Sequence, residues 1–194
     1  MKQNDQAKEL EECLIKIGLK IAKRNEGALF VVGKTKYSPL VEQAVPKFKA
    51  QKNPKLLESL ALMDGAVILD KDGTVKAYGA RIKSSTTFKN HGTRHAAALG
   101  ASKEKGNICI LVSEEDKKIR IFKNGKMIMQ IDPKEKNVES SISPAADILE
   151  TIGAGTLGTI GASILAPGLG ITLLPGVVVF GAVHYFGKKL LSKN

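Results

Sequence analysis

The chain has 194 residues, 43% hydrophobic and 25% charged, and carries a formal net charge of +11, which suits an anionic partner, whether nucleic acid, an acidic membrane surface or a polyphosphate substrate, or simply a solvated basic surface. Aromatic residues are only 5% with no Trp, and no helix-turn-helix pattern or basic-aromatic stripe occurs, so nucleic acid is not an expected partner. Its two cysteines, Cys13 and Cys109, sit in apolar stretches and define neither a disulfide framework nor a zinc site.

The start, "MKQNDQAKELEE", has no apolar run, so no cleavable signal peptide is expected. Leu10, Leu14, Ile17 and Ile21 recur at helical spacing, predicting one amphipathic helix over residues 1–24 with its stripe toward a core.

Residues 25–133 alternate between strand and helix signals. "GALFVVG" reads as a buried strand, and "PKLLESLALM" as a helix with Pro54 in its first turn. "DGAVILD" and "TVKAYGARI" read as strands joined by a hairpin, with Asp72-Gly73 supplying positive φ angles. A helix is expected from about Thr93 to Glu104, then a central strand in "NICILV". "KIRIFKNGKMIMQID" reads as a second hairpin turning at Asn124-Gly125. The expectation is an α/β domain, a mixed central sheet flanked by helices. Residues 134–150 read as a linker.

Residues 151–187 carry no charge, are rich in glycine and break at Pro167–Gly170. They are expected to form a hydrophobic helical hairpin attached to a membrane, or buried in a soluble oligomer, followed by a basic tail over 188–194. Each arm is short against the roughly 30 Å apolar core of a bilayer, so spanning and re-entrant forms stay open.

The densest polar cluster is "NHGTRHAAALG", residues 90–100, at the start of an alanine helix. A helix start presents free N–H groups and partial positive charge to anions. Gly92 permits close approach of a ligand to the backbone, and Thr93 offers a hydroxyl and a cap. Arg94 can fork onto two phosphate oxygens, and His95 can donate to a phosphate. No Walker A loop occurs in the chain, so this is a different phosphate cradle.

Three stretches in order resemble one family. They are Asp64-Gly65-Ala66, then Gly92-Thr93-Arg94-His95 followed by alanines, then Val112-Ser113-Glu114-Glu115 after a central strand. Together, over about residues 10–133, they are similar to the diadenylate cyclase domain, the nucleotide-binding domain first named from a DNA-integrity scanning protein. The resemblance implies a dimer in which two ATP, held face to face, become cyclic di-AMP and two pyrophosphates. It implies Asp64 as the catalytic carboxylate, beside the attacking 3′-hydroxyl and a divalent metal (Mn²⁺ or Mg²⁺). Gly65 and Ala66 would line the nucleotide pocket, with Gly92, Thr93, Arg94, His95 and Ser113 on substrate, and Glu115 joining Asp64 on metal. ATP chemistry implies a cytoplasmic catalytic domain, attached to the membrane through the hairpin.

Two positions depart from the family pattern. The second arginine of its Arg-His-Arg stretch is Ala96 here, for which Arg81, Lys83 or Lys89 are possible substitutes. The segment after the first hairpin is "KSSTT", residues 83–87. These departures leave a second reading open, a catalytically weak or inactive sensor of ATP or a cyclic dinucleotide.

Overall fold

A computed structural model of the chain describes residues 2–40, 47–83, 92–153, 157–158, 165–166, 170–173 and 178–179. Helix α1 (Lys2–Lys23) leads into strand β1 (Ala28–Val32), the short strand β2 (Tyr37–Pro39) and helix α2 (Pro54–Ala61). Strands β3 (Ala66–Leu69) and β4 (Val75–Ile82) follow, then helix α3 (Thr93–Ala101). Strands β5 (Ile108–Val112), β6 (Ile119–Lys123) and β7 (Lys126–Ile131) complete the central region. After them come a 3₁₀ turn (Val138–Ser141), helix α4 (Ile142–Gly153) and the short strands β8 (Leu157–Gly158), β9 (Leu165–Ala166), β10 (Ile171–Leu173) and β11 (Val178–Val179).

The main sheet runs β2-β4-β3-β1-β5-β6-β7-β10-β9. The β1–β3 pair is parallel, with Phe30 opposite Val67 and Val32 opposite Leu69. The β1–β5, β5–β6 and β6–β7 pairs are antiparallel. Both faces of the sheet are covered, and the central strands β1, β3 and β5 are apolar throughout. Side chains alternate between faces. Phe30, Val67, Leu69, Ile110 and Ile121 pack on one face with α1, α2 and α4, whereas Leu29, Val31, Ile68, Cys109 and Leu111 pack on the other with α3. The small residues of α3, Ala98 and Ala101, are fully buried and let that helix lie close to the strands.

α1 does more than present one stripe. Leu10, Leu14, Ile17 and Ile21 are buried, and so are Ile15 and Leu19 on its flanks. Both hairpins turn where the sequence predicts. Asn124 and Gly125 both take positive φ, whereas in the first turn only Gly73 does. Asp72 instead accepts the Thr74 N–H at 3.0 Å, closing the turn through its side chain.

The structure corrects two expectations. The stretch 134–150 is no linker, because it carries the 3₁₀ turn and most of α4, with Ala145, Ala146 and Leu149 fully buried. Nor do the described parts of 151–187 past Gly153 form helical arms. Ile171–Leu173 pair antiparallel with β7, Ile171 opposite Ile131, and Ile171 and Leu173 are buried in the core. The physical reason is local: glycine and proline interrupt helix, while Ile171 and Thr172 are β-branched and meet a sheet edge that offers backbone partners. Among the described residues, no helix is long and apolar enough to cross a membrane. The rest of the expected hairpin and the tail 188–194 lie outside the described residues, as do His91, Lys89 and residues 84–87 of the KSSTT segment.

Candidate functional site

The site forms where β3, α3 and the turn after β5 converge. Asp64 and Gly65 lead into β3, which continues with the buried Ala66. Gly65 has φ +97°, and a Cβ there would sit 2.7 Å from the Ala80 nitrogen and 2.8 Å from the Gly79 carbonyl carbon. Only glycine fits this close crossing onto β4. Asp64 therefore projects from a rigid strand start, its side chain 91% exposed, and its Oδ1 accepts the Gly65 N–H at 2.9 Å.

The N-cap of α3 is Gly92, in an extended conformation, and no side chain caps it by hydrogen bonding. Thr93 is thus the first helical residue and exposed, where the sequence had pointed to it as a cap. Arg94 lies between two carboxylates: its Nη1 donates to Glu114 Oε2 at 2.9 Å, and its Nη2 is 4.0 Å from Asp64 Oδ1.

Two cavities flank this helix start, and Thr93 and Arg94 line both. The first, about 430 Å³, holds Asp64, Gly65 and Ala66 together with Leu29, Leu40 and Arg81. The second, about 370 Å³, holds Gly92 and His95 together with Ser113, Glu114 and Glu115. All nine site residues singled out from sequence thus gather at one helix end, but Asp64 and Glu115 face different cavities. Glu115 reaches toward Gly92, its Oε1 3.0 Å from where a Cβ on that residue would stand.

Two of those residues lie deeper than expected. Ser113 is buried, and its hydroxyl accepts the Asp116 N–H at 3.5 Å, shaping the turn from Ser113 to Lys118. His95 is also buried, its Nε2 3.2 Å from Arg120 Nη1. Arg120 in turn forms a two-pronged ion pair with Asp116. Burial opposes the charged form of Asp116, but hydrogen bonds from Arg120 and Ser113 outweigh it and hold the carboxyl well below the usual carboxylate range. Three consecutive acids therefore splay to three partners: Glu114 to Arg94, Glu115 toward Gly92, and Asp116 back to Arg120.

Sequence reasoning missed Glu114 as the partner of Arg94, and it missed the Asp116–Arg120 pair. The second left a signal, since an acid and an arginine four residues apart flank the entry to a strand that otherwise alternates apolar residues. Of the three basic residues weighed against Ala96, Arg81 lines the Asp64 cavity.

Among the described residues, no group of three or more His, Cys, Asp or Glu side chains could hold a metal ion. An exposed lone carboxylate such as Asp64 does fit a cation that arrives on phosphate oxygens, because Mg²⁺ is commonly held by one or two carboxylates plus a nucleotide. The geometry thus offers, within one small region, a carboxylate on a strand start, a forked cation and an uncapped helix end, which is the equipment for holding a polyphosphate.

A model of the family described as "DisA bacterial checkpoint controller nucleotide-binding" matches residues 18–127, more than half of the chain. The chain belongs to this nucleotide-binding family. It is 30% identical over 138 residues to a diadenylate cyclase of Methanocaldococcus jannaschii, covering 62% of this chain and 45% of that one. It is 34% identical over 123 residues to a diadenylate cyclase of Listeria monocytogenes, covering 59% of this chain and 45% of that one. The chain therefore spans about half the length of the curated relatives it matches. The fold resembles the crystal structure of DacA from Staphylococcus aureus, with a TM-score of 0.50 and 23% identity over 75% of this chain and 93% of that one.

Proposed function

We propose that this chain is a diadenylate cyclase, a nucleotidyltransferase that condenses two ATP into cyclic di-AMP and two pyrophosphates. Membership of the family and the names of the two relatives support this reading. The observation that carries it is the position of Arg94, between the Asp64 carboxylate and the Ser113–Glu115 turn at the uncapped start of α3.

In this reading a second copy of the chain faces the first, each holding one ATP. The 3′-oxygen of one ATP attacks the α-phosphorus of the other. The new P–O bond forms as the bond to pyrophosphate breaks, and the same exchange in the other direction closes the ring. Such transfers depend on positioning and charge neutralisation rather than on covalent chemistry by the protein. Asp64, projecting from its fixed strand start, orients the attacking hydroxyl and receives its proton. Arg94 and the N–H groups at the start of α3 hold phosphate oxygens and draw charge toward the leaving group. A divalent cation bound with the triphosphate, held on the protein by Asp64, would neutralise the pyrophosphate charge. Gly65, Ala66 and Leu29 line the same cavity and offer an apolar wall for the base and sugar.

The reading of the chain as a sensor has one observation of its own: Arg94 is already engaged by Glu114, and Ala96 adds no second cation. Substitution of Asp64 separates the two. Under the cyclase reading, Asp64→Asn abolishes formation of cyclic di-AMP, while calorimetry in the absence of divalent metal shows ATP affinity within about threefold of wild type, since the lost group acts on the nucleophile and the cation rather than on the base or on the phosphates that Arg94 holds. Turnover by Asp64→Asn equal to wild type would refute the role given to Asp64. ATP binding without turnover by the wild-type chain would favour the sensor.

A further inference from the structure

We propose that Arg120 is a positioning residue whose buried guanidinium, clamped by Asp116, fixes the tautomer and orientation of His95 beneath the start of α3. Arg120 is 6% exposed and His95 3% exposed. Arg120 Nη1 lies 3.2 Å from His95 Nε2 and also 2.9 Å from Asp116 Oδ1, while Nη2 binds Asp116 Oδ2. A guanidinium only donates hydrogen bonds. His95 Nε2 must therefore accept, and the ring proton must sit on Nδ1. This hydrogen bond thus selects the tautomer and restrains the ring's direction.

The location in the sheet argues that this contact is why the charge is there. On β6, Ile119 and Ile121 face α1, so Arg120 shares the α3 face with Phe122. In register, Arg120 stands opposite the fully buried Leu111. An apolar side chain at this position would avoid the desolvation of a guanidinium, and replacing a buried ion pair by apolar groups is often neutral or stabilising. Retaining Arg120 therefore adds little that packing could not supply, apart from its bond to His95. His95 is in turn the third residue of the helix whose first two, Thr93 and Arg94, line both cavities. A ring held in one orientation keeps this first turn in register against β5 and β6. Its reading as a phosphate site is the proposed function above, on which only the second readout below rests.

The test reads the tautomer directly. Nitrogen-15 NMR of the wild-type chain should show His95 with an unprotonated Nε2 and a protonated Nδ1. In Arg120→Met, which keeps a long stem but no donor, an Nε2-protonated form should appear, and ATP affinity should fall about tenfold, the scale on which partners that orient a functional histidine act. Arg120→Gln, which restores an N–H donor without charge, should recover the Nδ1-protonated form and bring affinity back to within about threefold. A protonated Nε2 in the wild-type chain overturns the proposal, and that reading stands even if Arg120→Met does not fold. So does a folded Arg120→Met with unchanged tautomer and unchanged ATP affinity, whatever its melting temperature. If the tautomer shifts as expected but no variant, wild type included, binds ATP, Arg120 keeps its role and the cyclase reading fails.

Discussion

The Arg94 guanidinium donates to the Glu114 carboxylate at 2.9 Å, across the gap between the start of α3 and the turn after β5. Any phosphate that enters this site competes with Glu114 for the same forked cation. The pair is partly exposed, Glu114 at 64%, and exposed ion pairs contribute about 0–1 kcal/mol, so displacement is cheap.

Two opposite substitutions follow from this competition. Arg94→Ala removes a charge-assisted contact of about 1.5–3 kcal/mol, so ATP affinity or kcat/KM should fall about tenfold or more. Glu114→Gln removes the competitor and should tighten ATP binding by up to about fivefold. Isothermal titration with ATP measures both, and a Glu114→Gln variant that binds ATP more weakly would show that Glu114 serves the ligand rather than competing with it.

Gly65→Ala should fail for a backbone reason. At φ +97° any side chain is strained, at about 1–3 kcal/mol, and the new Cβ would also press on the Gly79–Ala80 backbone. Thermal unfolding should show a lower Tm, and activity should fall although Asp64 is untouched. An unchanged Tm would mean that the β3–β4 crossing tolerates a Cβ.

Much of this candidate site is legible in the sequence. Asp64-Gly65-Ala66 and Gly92 to His95 stand out as candidates because their chemistry is written in short contiguous runs. Arg120 escaped because its role depends on strand pairing and on which face of β6 it occupies, and no local run of residues encodes that. α4 and β10 were misread for a related reason. The stretch 134–150 reads locally as a linker, and the uncharged, glycine-rich run after it is ambiguous between a bilayer and a protein core; the decisive partners, α1 for α4 and Ile131 on β7 for Ile171, are both distant in sequence.

That misreading has a measurable consequence. Leu149 is fully buried in the main core, so Leu149→Ala should cost about 2–5 kcal/mol in denaturant unfolding. A chain truncated after Ser140 loses α4 and β10 together and should aggregate or unfold. A truncated chain as stable as the full one would return residues 141–173 to the status of an appendage.

A pH dependence arises far from the site, on α1. Glu11 is buried, and burial foremost pushes its carboxyl up to about 8, with Glu150 adding to the rise and Lys123 opposing it. Burial lowers Lys123 in turn. With a folded value above the ordinary 4.5, Glu11 folds at no penalty below pH 4.5, and stability is lost as pH rises toward about 8. Glu11→Gln should therefore match wild type in Tm near pH 4 and exceed it increasingly up to pH 8. A constant difference across that range would mean that Glu11 is not the group that titrates.

In the proposed reaction this chain joins two ATP through the site around Asp64 and Arg94. Incubating purified full-length chain with ATP and Mn²⁺ or Mg²⁺, and analysing the products by mass spectrometry, tests it most directly. Cyclic di-AMP should form with two pyrophosphates per molecule, and specific activity should rise with chain concentration until the face-to-face pair is saturated. ATP recovered unchanged at every concentration and with either metal would contradict it.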